Sequence, residues 1–462
     1  MIQTPTPTTV RLHDTVFLHT LTTDRFKTAR LSFYTLFPLD AKHSPAMSLL
    51  FDVMGQGSER FPDTAALNRR LDDLDGTVIR TRGFPWGDHH VLGFTAEMME
   101  DAFLPPADRS MDILGGTMDV LAELILHPRL GSDGLLRSAV VDRERRSLCD
   151  SIRAMQDHPQ TYAESRYHRT LYAGEPYALS TMGTVEDVET LTAEDVTDTW
   201  RQWLGKARVE IFYVGRADAG TVCRKVREAF FGWAPCGLTL PPMTAHPTPQ
   251  SLRTCTEERA LTQGWLCMGW ASGITDSQVG EPGGRERLFA ARMLNQLLGD
   301  MPSSLLFRHV REEKGLCYDC TSSFDAVKGV LTVLCGTSPA HRAAAEAAIR
   351  AQVEALRAGH IREEDLELAR ASLMNEYRQC TDNPASLEHF WFWRTLRGQT
   401  ETPEDCLEAV RRVTETQVAE AAACLVPDTL FYLGGGDGCE DTDTDKDEET
   451  ETETEPWETG EA

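Results

Sequence analysis

Residues 234–250, APCGLTLPPMTAHPTPQ, decide how this chain is read. They hold five prolines, at 235, 241, 242, 247 and 249, with little charge and no hydrophobic period. Proline fixes φ and removes a backbone donor, so the stretch reads as an extended, semi-rigid linker. It separates two nearly equal halves, roughly 1–233 and 251–433, and the halves share one grammar. Each opens on alternating, strand-like segments: VRLHDTVFLHTLTT and ARLSFYTLFPL before the linker, QGWLCMGWASG after it. Helix-like sequence follows, then a second strand segment, GTVIRTRGFPWGDHHVLGFTAE in the first half and CYDCTSSFDAVKGVLTVLCGTS in the second. Long amphipathic helices come next, SMDILGGTMDVLAELILH and AHRAAAEAAIRAQVEALRAG, with apolar residues three and four apart. RVEIFYVG and TLFYLGG end the two halves as further strands. The expectation is an α+β unit used twice, followed by a tail at 434–462.

Composition narrows the function classes. At 462 residues, 41% hydrophobic and 26% charged, the chain has the profile of a soluble globular protein of several domains. The start, MIQTPTPTTVRLHD, has no basic segment leading into an apolar run, and no stretch of 18 apolar residues occurs, so a cytoplasmic protein is expected. Twelve cysteines, from Cys149 to Cys439, are scattered without a disulfide-framework spacing and read as reduced thiols acting as small core hydrophobes. The net charge is −26, of which residues 437–462 carry −12, thirteen Asp or Glu against one Lys. Both parts are acidic, which argues against nucleic acid and anionic membrane surfaces as partners. The tail has no apolar period and reads as a solvating, disordered segment.

Longer segments carry a family resemblance. Residues 171–218, LYAGEPYALSTMGTVEDVETLTAEDVTDTWRQWLGKARVEIFYVGRAD, resemble the end of the first domain in the insulinase and mitochondrial-processing-peptidase family of zinc peptidases. Residues 292–325, RMLNQLLGDMPSSLLFRHVREEKGLCYDCTSSFD, with the following VLTVLCGTSPA, resemble its second domain. The likeness covers about 10–433 and is most specific over 303–318. It implies two homologous domains of the LuxS/mitochondrial-processing-peptidase-like metallohydrolase type, each a mostly antiparallel sheet packed by helices. Together they form half of a clam-shell around an unfolded peptide.

Active members of that family carry H-x-x-E-H, in which two imidazoles one helical turn apart bind zinc and the glutamate takes a proton from the metal-bound water. The corresponding segment here is SPAMSLLFDVMGQGS, 44–58, and the five positions are Ser48, Leu49, Leu50, Phe51 and Asp52. In AVVDRERRSLCDSIRAMQDHP, Glu144 matches a supporting family glutamate, while the third-ligand position falls at Ser151, or at Asp150 if the match slips by one. Neither H-x-x-E-H nor H-x-x-x-H occurs anywhere in the chain. The expectation is no catalytic metal and no cofactor in this chain. In REEKGLCY, by contrast, Arg311 and Tyr318 match the arginine and tyrosine that active members set opposite the zinc. A guanidinium can hold a substrate carbonyl, and a phenol can donate to the oxygen that becomes negative as water attacks.

In bacterial two-chain members one subunit carries H-x-x-E-H and its homologue the arginine and tyrosine. The expected role is therefore the second kind: a metal-free subunit that pairs with a homologous zinc subunit and positions unfolded peptides. The alternative is a scaffolding pseudo-peptidase without peptide hydrolysis. The missing ligands and the length also resemble bacterial members associated with 5-aminopentanol modification of elongation factor P, a connection no residue here carries. An independent thiol or carboxylate enzyme finds no nucleophile–base spacing in support.

Four other features read as structural. Cys317 and Cys320 form a single C-x-x-C, and positions i and i+3 of a strand face apart. His89 and His90 read as a surface pair where a loop enters a strand. Residues 389–393, HFWFW, read as cover for apolar surface where domains or chains meet, and 280–286, GEPGGRE, as a surface loop.

Overall fold

The computed structural model describes residues 4–106 and 111–435. The acidic segment 437–462 lies outside them. The first half comprises β1 (Thr8–His13), β2 (Val16–Thr22), β3 (Thr28–Pro38), α1 (Ser44–Met54), α2 (Thr64–Asp72), β4 (Val78–Trp86), β5 (His89–Met99), α3 (Ile113–Leu126), α4 (Ser138–Asp157), α5 (Pro159–Leu171), α6 (Val185–Glu189), α7 (Ala193–Gly205), β6 (Arg208–Gly215) and α8 (Ala219–Ala229). The second comprises β7 (Arg253–Glu258), β8 (Gly264–Ala271), α9 (Gly284–Asn295), β9 (Asp319–Asp325), β10 (Val330–Thr337), α10 (Arg342–Arg357), α11 (Glu363–Gln379), α12 (Pro384–Leu396), α13 (Pro403–Arg412), α14 (Glu415–Ala423) and β11 (Val426–Gly434).

The two sheets have one topology. The first runs β1-β2-β6-β3-β5-β4 and the second β7-β11-β8-β10-β9, so that β2, β6, β3, β5 and β4 correspond to β7, β11, β8, β10 and β9, with β1 added outside. Each sheet is antiparallel except at one equivalent pair, β2 with β6 and β11 with β7. The α+β unit used twice, expected from the sequence, is what the chain forms.

Local signals repeat in step with the sheets. α5 and α12 each begin with proline in the first turn, behind His158 and Asn383, whose side chains accept from the backbone N–H of Thr161 and Ser386. Capping boxes open α6 and α7 at Thr184 and Thr192, and α13 and α14 at Thr402 and Thr414.

These equivalent helices are exchanged. α5, from the first half, lies on the second sheet: Ala163, Tyr167 and Leu171 pack with Cys267, Val330 and Phe431, and the Tyr167 hydroxyl stands 3.0 Å from Thr332 Oγ1. Glycine is needed at 269, where a Cβ would run into the Tyr167 phenol. α12, from the second half, lies on the first sheet. Phe392 reaches Tyr34 at 4.9 Å and Phe212 at 5.5 Å, and Trp393 reaches Phe84 and Trp86 at 5.6 and 5.5 Å between ring centroids. The HFWFW run therefore joins the halves. Beside it, buried Glu388 accepts from Ser32 Oγ at 2.6 Å and Tyr34 Oη at 2.9 Å, and pairs with Arg30 at 3.2 Å.

A charged cluster closes the same junction. Lys328, 0% exposed in the β9–β10 turn, donates to Asp88 at 2.7 Å and Glu175 at 2.9 Å, both from the first half. His246 of the linker is held between Glu175 at 2.5 Å and Asp428 at 2.8 Å, and Arg253 donates to Asp428 at 2.6 Å. Three cations face three carboxylates, which lets the group stay buried. The linker has neither helix nor strand, yet it is pinned along its length: His89 donates to the Pro241 carbonyl at 2.8 Å, and Thr244 donates to Asp88 from its backbone and its hydroxyl.

Two sequence readings need correction here. His89 and His90 are buried, at 4% and 1% exposure, because β5 lies between β3 and β4 with α12 and the linker over it. Burial pushes His90 down to about 4. Segment 280–286 is not wholly a loop, since α9 starts at Gly284 behind Gly283 in the left-handed region. Among the described residues, no helix is long and apolar enough to cross a membrane.

Burial alone would depress the His246 imidazole, but its bonds to Asp428 and Glu175 outweigh that and raise it to about 9. A raised pKa contributes stability that is complete below the unfolded value of about 6.5 and is lost as pH climbs through the folded one. His246→Gln should cost about 2–4 kcal/mol at pH 7 in urea unfolding. The parent's stability should decline more steeply than the variant's between about pH 6.5 and pH 9.

Candidate functional site

The helix that would carry the metal motif is packed as core. Every residue of α1 except Asp52 is buried. Ser48 Oγ donates to the Thr181 carbonyl at 2.9 Å, and the Phe51 ring sits between Phe94 and Trp203, each 5.4 Å away between centroids. Asp52 faces Glu144 on α4, and burial together with that neighbouring charge pushes its carboxyl up to about 6. Glu144 is in turn held by Arg143 Nε at 2.7 Å, and Arg143 also donates to Gln56 at 2.9 Å.

Ser151, further along α4, is exposed and turns its hydroxyl back to the Ser147 carbonyl at 2.9 Å. Asp150, the alternative, pairs on the surface with Arg153 at 3.1 Å. The frame thus presents hydroxyls, a phenyl ring and a carboxylate pair where zinc needs imidazoles, a third donor and a base. Its donor set does not fit a zinc ion.

The second half places its residues differently. Phe307–Glu312 form a π-helical turn, and Gly315, at φ 59°, reverses the chain so that Leu316 N–H returns to the Val310 carbonyl at 3.1 Å. This brings Arg311 and Tyr318 together, with the guanidinium 5.7 Å from the ring centroid. Arg311 is also 4.9 Å from the Phe307 ring and 3.5 Å from Glu312. Tyr318 is 77% exposed, just before β9, the edge strand of its sheet.

The strand rule that parted Cys317 from Cys320 fails at this turn. β9 begins at Asp319, so Cys317 lies outside the strand and is free to turn back onto Cys320. Cys320 stands directly opposite Cys335 across the β9–β10 ladder, and the three sulfurs lie within 4.8 Å of one another. Cys335 could not have been paired with them from spacing.

A cavity of about 700 Å³ lies where α9, α11 and α12 meet. Arg292, Gln296, Asp300, Glu376, Tyr377 and His389 are among its walls; Arg292 bonds the Tyr377 hydroxyl, and Gln296 bonds Glu376. It lies between α9 and α11, the counterparts in chain order of α1 and α4, and no motif in the sequence announced it.

Residues 190–373 match the family model described as the peptidase M16 inactive domain. Over that segment the chain is similar to the M16 inactive domain. A probable inactive metalloprotease of Bacillus subtilis, YmfF, is 28% identical over 427 residues, spanning 92% of this chain and 97% of the relative. Two solved structures share the fold. A conserved protein from Enterococcus faecalis has a TM-score of 0.86 at 24% identity, covering 94% of this chain and 100% of its own. A peptidase M16 inactive domain from Pseudomonas fluorescens has a TM-score of 0.73 at 16% identity, covering 93% and 98%.

Asp52 fits this packing poorly. A raised carboxylate pKa destabilises the fold at pH values above it, because the folded state must hold a charge that the unfolded chain carries in water. Asp52→Asn should therefore stabilise the protein by about 1–2 kcal/mol at pH 7 in urea unfolding, a gain that disappears below about pH 4.

Proposed function

We propose that this chain is the non-catalytic subunit of a two-chain M16-type peptidase, pairing with a homologous zinc subunit that carries H-x-x-E-H and enclosing unfolded peptides with it. The observation behind this reading is the Arg311–Tyr318 pair, with an exposed phenol beside a guanidinium at the head of an edge strand. An edge strand can take an extended peptide by main-chain hydrogen bonds, with little demand on sequence. Arg311 would then hold a peptide carbonyl, and Tyr318 would donate to the oxygen that becomes negative as water attacks in the partner's site. Zinc belongs to the partner in this scheme. A cytoplasmic location without nucleic-acid or membrane partners is part of this reading, supported by the acidic composition. The link to elongation factor P modification rests on resemblance and on no residue described above.

Under this reading, Arg311→Ala combined with Tyr318→Phe lowers the complex's kcat/KM by roughly 10²–10³, as loss of oxyanion donors does elsewhere. Assembly of the two chains should persist, checked by gel filtration. Unchanged peptide hydrolysis by the double variant complex would favour a purely scaffolding role.

A further inference from the structure

We infer that Cys317, Cys320 and Cys335 form a binding site for a single thiophilic d10 cation, zinc or cuprous copper. The inference rests on the second half alone and does not require the pairing proposed above.

The first argument is geometric. Three thiolates each about 2.3 Å from a shared ion stand about 4 Å apart, and these three sulfurs already lie within 4.8 Å of one another. Among the described residues, this is the one group of three or more His, Cys, Asp or Glu whose donor atoms converge in this way. Two donors are fixed by the ladder: Cys320 and Cys335 are directly opposed, at 4% and 0% exposure, against Leu331 and Val333 of the core. The third is set by the turn. The backbone N–H of Tyr318 donates to Gly336 at 3.0 Å, and Thr337 Oγ1 donates to the Leu316 carbonyl at 2.6 Å, which clamps Cys317 against the end of β10.

The second argument is chemical. Soft sulfur donors select zinc and cuprous ions over harder cations, and three protein donors suit either a trigonal cuprous site or a zinc site completed by one external ligand. Binding displaces the thiol protons, and Arg311 supplies a positive charge beside the resulting thiolates. A disulfide accounts for the arrangement less well, since it would join two sulfurs and leave the third unused.

Anaerobic titration of the reduced full-length protein with Cd²⁺, followed by competition with Zn²⁺ and with Cu⁺, tests the site. One Cd²⁺ per chain with thiolate-to-metal charge-transfer absorption is expected, and the competition identifies which ion the site prefers. Cys317 is only half-buried, so Cys317→Ser should fold normally by circular dichroism. It should weaken Cd²⁺ binding by more than the roughly 10–100-fold that loss of an outer-sphere partner costs. Cys424→Ser, at an exposed thiol elsewhere, should bind like the parent. No stoichiometric uptake, equal uptake by Cys317→Ser, or a Cys320–Cys335 disulfide in protein isolated without reductant would each overturn the inference.

Discussion

A fully buried ammonium, Lys328, constrains everything around it. A lone charge in such surroundings is prohibitively costly, so the turn between β9 and β10 is stable only while Asp88 and Glu175 of the other half accept from it. Glu175 also holds His246 of the linker, and His246 holds Asp428 on β11. The halves and the linker therefore meet in one electroneutral cluster, and parting them would strand charges. The exchange of α5 and α12 acts in the same direction, because each sheet completes its packing with a helix from the other half. An interlocked molecule of this kind resists hinging between its own halves.

The packing of α1 leaves no place for the metal motif that the resemblance would put there. Phe51 sits inside an aromatic cluster with Phe94 and Trp203, and Ser48 is tied to the Thr181 carbonyl. Restoring glutamate at 51 would bury a carboxylate among rings, a change of several kcal/mol against the fold. The core packing of α1 thus disfavours a metal site there. The second half, by contrast, leaves an aromatic phenol in solvent beside an arginine, where folding alone gains little from it.

Much of the architecture was legible because it is periodic and repeated. Strand alternation, amphipathic helices and the proline-rich break each depend on near neighbours, and they marked the twice-used unit correctly. The exchange of α5 and α12 was not readable, although the aromatic run at 389–393 pointed to a junction. His246 sits among prolines without a periodic context, and its partners Glu175 and Asp428 are far away in sequence. Cys335 joins Cys317 and Cys320 only through strand register, and the strand rule that set the C-x-x-C aside failed because Cys317 precedes the strand. His89 and His90 read as surface residues because the elements that cover them lie elsewhere in the chain.

On the function proposed, this chain works as one of two unlike chains. Native mass spectrometry of the protein recovered from the cells that make it tests this most directly. The account predicts a one-to-one complex with a homologous chain carrying H-x-x-E-H. A homo-oligomer or a lone monomer, with no such partner under conditions that preserve other complexes, would contradict it.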